Sequence, residues 1–344
     1  MMILFIDHAC HKRTKSAEFF LSILRDRHEV EEFYYDKAYD CNPPEQMMAR
    51  ADLIVIWEFL PRRFELAFTG KRCVFVPMYD NEWGSVGLWK RIALMGIKVV
   101  SFCGKITEHA IKCGVGRGDI LDVRYAANPD DYEGMEGSDR IAALWERGDV
   151  GFDDMKAVLN AGEFEKVLIY RHKGDVNGKS NITAVDVKDY RVEVRELEWL
   201  PPEEYLKVHS KAGVYFAPRR KEGIGMSLIE YLAMGKAVIA HDDATMNEYI
   251  ENGKNGFIVD FYHPRKISVA EVANVRQSAK RMAKEQFARW ERDKLKILPF
   301  VEDAANGRAV KSAWTVKSVL WYGWYWVEGG WQRINERLRS AVRG

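Results

Sequence analysis

The chain has 344 residues, 47% hydrophobic and 30% charged, with a formal net charge of +1. That length is generous for one core and comfortable for two domains, and the apolar-to-charged balance is that of a globular protein. A near-zero net charge excludes the overall basic footprint of a nucleic-acid binder, so nucleic acid is an unlikely partner, and no apolar run reaches transmembrane length.

Met1 to Asp7 is apolar but too short for a signal sequence, and Met2 to Ile6 is expected as a first buried strand. The segment Ser16 to Arg25 puts Phe19, Phe20, Ile23 and Leu24 on one face, as an amphipathic helix does. Strands are expected next at Val30–Tyr35, Leu53–Trp57, Cys73–Val76, Lys98–Phe102 and Ile120–Arg124. Short apolar runs divided by helix-length segments argue for a parallel sheet covered on both faces. The five cysteines, Cys10, Cys41, Cys73, Cys103 and Cys113, all fall in this part, without a Cys-x-x-Cys pair. Reduced, mostly buried thiols and a cytoplasmic location are the expectation.

Around Asn128 to Ser138 the pattern breaks into turn and charged residues, which reads as a linker. The same grammar then resumes from Ile141, with strands at Lys166–Tyr170, Arg191–Leu197, Gly213–Ala217, Ala237–Ala240 and Gly256–Val259. Ile267 to Leu298 reads as one or two long helices. The domain expectation is 1–132 and 139–290, followed by a helical crossover and aromatic, basic tail over 291–344. That tail, Trp314 to Arg343, holds five of the 11 tryptophans. It reads equally well as a membrane-surface segment, with rings at headgroup depth and arginines on phosphates, or as a packing surface for the first domain or a second subunit.

The densest information lies between Tyr215 and Asp260. Glu222 and Glu230 are separated by seven residues, with Gly223-Ile224-Gly225-Met226 between them at the start of an expected helix. Strand, glycine loop, helix, strand is the layout that presents a ligand at the carboxyl edge of an open sheet. Backbone amides of the loop and helix start favour an anion, usually a phosphate. Two carboxylates nearby suit hydroxyl-bearing groups, so a nucleotide sugar fits.

With Ala233-Met234-Gly235-Lys236-Ala237-Val238-Ile239-Ala240, Asn247-Glu248-Tyr249-Ile250 and Asn255-Gly256-Phe257-Ile258-Val259 following the acidic pair, the segment resembles the donor-binding region of retaining, family-4-type glycosyltransferases of the GT-B fold (glycosyl transferases group 1). The likeness is specific over 213–260, weaker over 140–212 and architectural before that. It implies an α/β protein of two Rossmann-like, doubly wound domains facing across a cleft, with the donor mainly on the second and the acceptor on the first. It also implies a metal-independent, retaining hexosyl-type transfer from a UDP- or GDP-linked sugar to a hydroxyl of a glycan, lipid-linked or other acceptor, as in polysaccharide biosynthesis. By that likeness Glu222 lies by the anomeric centre and Glu230 takes the ribose hydroxyls, while Gly223, Ile224, Gly225 and Met226 lead the backbone to the diphosphate. The leaving diphosphate needs a cation. Arg147 stands in the matching loop, but Phe152 and Asp153 occupy the place of the family's second cation, a lysine. Lys173, Arg220 and Lys221 are its possible replacements.

On the first domain, Asp80 follows the Cys73–Val76 strand and, by the likeness, is a catalytic candidate to contact a donor hydroxyl or the acceptor nucleophile, while His8 and His11, after the first strand, are acceptor-side candidates. His8, Cys10 and His11 are too crowded to share a zinc ion, and no second cluster accompanies them, so no metal or other cofactor is expected. Peripheral contact with the inner face of a membrane and a homodimer are open partner expectations. Transfer to modified DNA, or non-catalytic nucleotide-sugar binding on the same fold, are the competing functions.

Overall fold

The computed structural model of the protein describes residues 1–36, 43–60, 68, 70–81, 84–173, 179–198, 200 and 202–311. The chain divides into two compact units. The first comprises Met1–Ser101, Ile106–Asp122 and the described residues from Ile297 on, and the second Phe102–Lys105 and Val123–Lys296.

The first unit holds a six-stranded sheet of β1 (Met2–His8), β2 (Glu29–Tyr35), β3 (Leu53–Glu58), β4 (Cys73–Pro77), β5 (Lys98–Ser101) and β6 (Ile120–Asp122), in the order β2-β1-β3-β4-β5-β6. Every pairing is parallel. That explains the unbroken apolar runs: Ile3 to Ile6 and Leu53 to Ile56 are fully buried because helices cover both faces of a parallel sheet. The helices Glu18–Arg25 and Val86–Met95 belong to this cover, the first burying Phe20, Leu21 and Leu24. The helix Ile297–Asn306 joins the same unit, where Glu302 meets His28 at 3.2 Å and Asp303 pairs with Lys98.

The second unit repeats the plan with β7 (Ser138–Trp145), β8 (Lys166–His172), β9 (Val192–Leu197), β10 (Ala212–Phe216), β11 (Ala237–His241) and β12 (Gly256–Val259), in the order β12-β11-β10-β7-β8-β9. All pairings are again parallel. From β7 the chain winds to one side through β8 and β9, then returns to β10 on the other. That reversal opens a crevice at the carboxyl ends of β7 and β10. The corresponding reversal in the first sheet falls between β1 and β3.

The core of the second unit runs from Phe152 and Met155 through Val214, Phe216 and Ile239 to Val272 and Val275. Ser268 opens the 25-residue helix Val269–Asp293 with a capping box closed by Glu271, which satisfies two otherwise orphaned amides. The expected long helical stretch is therefore two helices, broken by a single 3-10 turn at Lys294–Lys296. Of the four described cysteines, Cys73 and Cys103 are buried as expected, whereas Cys10 is exposed because it lies in the short helix after β1. Cys41 and the aromatic tail Trp314–Arg343 lie outside the described residues.

Candidate active site

The second unit's crevice is built from two loops that touch. After Trp145 the chain runs Glu146-Arg147-Gly148 before the helix Phe152–Val158. A Cβ at Gly148 would stand 2.4 Å from the carbonyl oxygen of Pro218, so only glycine lets this loop reach the loop after β10. Arg220, from that second loop, ties them together: its amide donates to Asp149 Oδ1 at 2.8 Å and its Nη2 to Asp154 Oδ1 at 2.6 Å. Glu146 is buried and holds the base of the crevice by accepting from Arg171 Nε at 2.6 Å and the Ser180 amide at 3.0 Å.

Arg147 and Glu222 meet at this point. The Arg147 guanidinium lies over the Trp145 ring, 4.4 Å from its centroid, and its Nη2 is 3.6 Å from Glu222 Oε1. Glu222 is buried. Its loop is pinned from below by the buried Thr245, whose hydroxyl faces the carbonyls of Glu222 and Gly223, each at 2.9 Å. Gly225 takes φ +77°, which a side chain rarely tolerates, and as N-cap of the helix Met226–Ala233 it offers no side-chain hydrogen bond to the helix start. Ile224 is buried beneath the loop. Tyr215 fixes the helix against β10 by stacking on Tyr231 with centroids 3.6 Å apart and by a hydroxyl contact to Ser227 at 3.1 Å.

Glu230 stands little more than one turn into this helix, because the helix begins at Met226. Burial pushes its carboxyl up to about 7, against the opposing pull of Arg147. Five tyrosines, Tyr125, Tyr132, Tyr205, Tyr215 and Tyr231, lie within electrostatic reach of it; burial and the Glu230 charge raise the hydroxyl of Tyr125 to about 12 and push the others higher. A carboxyl in such surroundings is poised to take hydroxyl donors, which would stabilise its charged form.

The candidate second cations separate clearly. Arg220 is committed to the loop staple. Lys173, just past β8, spends its ammonium on exposed Glu198 at 3.1 Å. Lys221 is exposed, one residue before Glu222. Lys236 is fully buried and structural: its ammonium donates to the carbonyls of His209 and Ala212 at 2.7 and 2.6 Å, and burial lowers it to about 7.

In the first unit, His8 caps the helix Ala9–Thr14, accepting from the Cys10 amide at 3.2 Å, and its Nε2 meets the Asp36 carbonyl at 3.1 Å. His11 Nδ1 is 2.6 Å from Asp7 Oδ1 and its Nε2 is 3.3 Å from Glu58 Oε2. Burial opposes charge on this imidazole, but its hydrogen bonds to Asp7 and Cys10 and the charges of Asp7 and Glu58 carry it up to about 10. Asp80 lies in the turn after β4, next to Asn81, whose amide donates to Glu58 Oε1 at 2.8 Å.

Sequence reasoning passed over Asp7, Glu58, Thr245 and the tyrosines around Glu230. An acid directly after a fully apolar run, as Asp7 and Glu58 both are, was the available signal for the first two. Nothing local marks Thr245 or the tyrosines.

Two parallel doubly wound sheets, with an acidic pair flanking a glycine loop at the second sheet's reversal, define the class: this is the GT-B glycosyltransferase fold. The family described as glycosyl transferases group 1 matches residues 183–286, the part that carries Glu222 and Glu230. The chain is similar in structure to a glycosyltransferase of Rickettsia africae ESF-5, with a TM-score of 0.62 and 12% identity over 89% of this chain and 99% of the other. It is similar to HepE of Anabaena, solved in complex with UDP-glucose, with a TM-score of 0.60 and 13% identity over 88% of this chain and 100% of the other. A third likeness is to sucrose-phosphate synthase of Thermosynechococcus elongatus, with a TM-score of 0.61 and 12% identity over 88% and 98%. At these identities the likeness is one of fold. No curated relative matches the chain in sequence. Among the described residues, no helix is long and apolar enough to cross a membrane.

Proposed function

We propose that the protein is a retaining glycosyltransferase that moves a sugar from a UDP- or GDP-linked donor to a hydroxyl of a glycan or lipid-linked acceptor. The observation that carries this reading is the approach of Arg147 to Glu222, 3.6 Å apart, beside the uncapped start of the helix Met226–Ala233. A diphosphate placed there meets a guanidinium and the amino end of a helix, and a sugar beyond it meets a buried carboxylate. Glu230 would take the ribose hydroxyls. UDP is the favoured nucleotide, since HepE was solved with UDP and with UDP-glucose.

In the transfer, the bond from the anomeric carbon to the phosphate oxygen breaks and a bond to the acceptor oxygen forms on the same face of the sugar. The acceptor's proton passes to the leaving phosphate oxygen. Arg147 and the helix amides stabilise the charge that develops on the diphosphate, so the donor site needs no metal ion. Glu222 orients the sugar through its hydroxyls, and alignment of the two oxygens about the anomeric carbon does the rest. Lys221, exposed beside Glu222, is the candidate second cation and Lys173 the weaker one. His8, His11 and Asp80 are the acceptor-side candidates, and Trp314–Arg343 would bring the protein to a membrane surface or to a second copy of itself.

The reading is tested by incubating the protein with UDP-glucose and a panel of glycan acceptors and following the anomeric proton of the product by NMR. An α-linked product from the α-linked donor is expected. A β-linked product would overturn retention, and an absence of transfer and of donor hydrolysis across UDP- and GDP-sugars would overturn the enzyme.

A further inference from the structure

The first unit has its own crevice, between the carboxyl ends of β1 and β3, where the chain's winding reverses. Asp7 is the last residue but one of β1, His11 lies one turn beyond it, and Glu58 ends β3. The three side chains offer donor atoms that all lie within 4.8 Å of one another.

Three features make this more than an ion pair at a strand end. Glu58 has φ +67°, and the Phe59 amide closes back on the Trp57 carbonyl at 2.8 Å, a tight turn of the rare positive-φ kind. A non-glycine residue in that conformation is strained, and such strain gathers at functional sites. Asp7 is fully buried, yet its Oδ2 has no hydrogen-bond partner among the described residues. An orphaned buried carboxylate oxygen is costly, and a dication bound across the ring would offset that cost through its charge rather than by a bond to the oxygen. Finally, two carboxylates stand against one imidazole. Even with the ring charged, one negative charge is left over; with a neutral ring and a dication, the group balances to zero.

The distances fit that balance. His11 Nε2 and Glu58 Oε2 are 3.3 Å apart. Two ligands about 2.0–2.1 Å from one tetrahedral ion are separated by about 3.3 Å. On the opposite side of the ring, Asp7 Oδ1 holds Nδ1 at 2.6 Å, which is the carboxylate–imidazole arrangement that orients a metal-binding histidine. Asn81 fixes the other oxygen of Glu58.

We propose that Asp7, His11 and Glu58 form a divalent-cation site of the first unit, with His11 Nε2 and the Glu58 carboxylate as ligands, Asp7 as the orienting group, and the remaining positions left to water or to hydroxyls of a bound glycan. An imidazole with carboxylate oxygen ligands suits zinc or manganese. The expectation of no metal drawn from His8, Cys10 and His11 rested on their crowding in sequence. The fold leaves His8 as a helix cap and brings His11 a carboxylate from a different strand.

The test reads metal binding alone and is independent of the transferase reading. Full-length protein freed of metal with EDTA is titrated calorimetrically with Zn²⁺ and with Mn²⁺, alongside Glu58→Gln and Asp7→Asn. One equivalent of at least one ion is expected to bind, with affinity reduced at least tenfold in Glu58→Gln and about 10–100-fold in Asp7→Asn. In the unmodified protein, Mn²⁺ should broaden the His11 ring resonances before those of exposed His263 in the second unit, a readout that holds if either variant fails to fold. Absence of binding by both ions, binding undiminished in folded variants, or broadening of His263 first would each overturn the site and leave His11 as an ion-paired histidine only.

Discussion

At the carboxyl edge of the first sheet a histidine is caught between two carboxylates; at that of the second an arginine faces one carboxylate beside an open helix start. The two sheets share their parallel construction and place these groups at the same kind of winding reversal. The polarity of the edge is set by a handful of side chains. The second edge, with a guanidinium and a helix amino end, suits an anion; the first has acid in excess and suits a cation or hydroxyl donors. One backbone plan thus places side chains of opposite charge balance at equivalent reversals of the two sheets.

The contrast can be broken most severely at Arg147. Replacing it with alanine removes the guanidinium that stands 3.6 Å from Glu222 and should lower the transfer rate by about 10²–10³-fold, measured as release of the nucleoside diphosphate. A drop below tenfold would mean that the second edge handles its anion through the helix amides. Gly148→Ala attacks the scaffold instead: the new Cβ must displace the Pro218 carbonyl, and a loss of about 1–3 kcal/mol in urea unfolding is expected.

Glu230 sharpens the comparison through pH. Its carboxyl is raised from 4.5 to about 7 by burial, so in that window the folded chain holds a proton that the unfolded chain has released. Its contribution to stability therefore falls as pH rises from 4.5 to about 7. Nucleotide binding should move the opposite way, because ionised Glu230 is the better acceptor of ribose hydroxyls. UDP affinity is expected to increase several-fold between pH 6 and 8, and this dependence should flatten in Glu230→Gln. The smallest effect belongs to Lys173, which is exposed and paired with Glu198: Lys173→Ala should change stability by less than about 0.5 kcal/mol and UDP affinity by less than twofold.

The second edge was legible in sequence because its chemistry is local. Glu222, Gly225 and Glu230 lie within one loop and one helix, so spacing alone brings them together, and Gly225 announces its positive φ by being glycine. The strands were legible for a similar reason: fully buried parallel strands are continuous apolar runs, and Leu53–Ile56 could hardly be anything else. What failed to show was whatever depends on register between distant strands. Glu58 reaches His11 only because β3 pairs with β1, and its left-handed turn has no sequence mark. Thr245 supports the Glu222 loop from a segment that is nowhere near it in sequence. The fates of Arg220 and Lys173 were equally hidden, since a cation's partner decides whether it is available, and the partners Asp154 and Glu198 come from other elements.

The central claim is that the crevice at β7 and β10 binds a nucleotide sugar. Calorimetric titration of UDP- and GDP-sugars into the protein and into Glu230→Ala tests it most directly. Saturable binding of one nucleotide family, weakened about tenfold or more in the variant, is the predicted result. Absence of binding by either family, or binding of equal strength in Glu230→Ala, would contradict it.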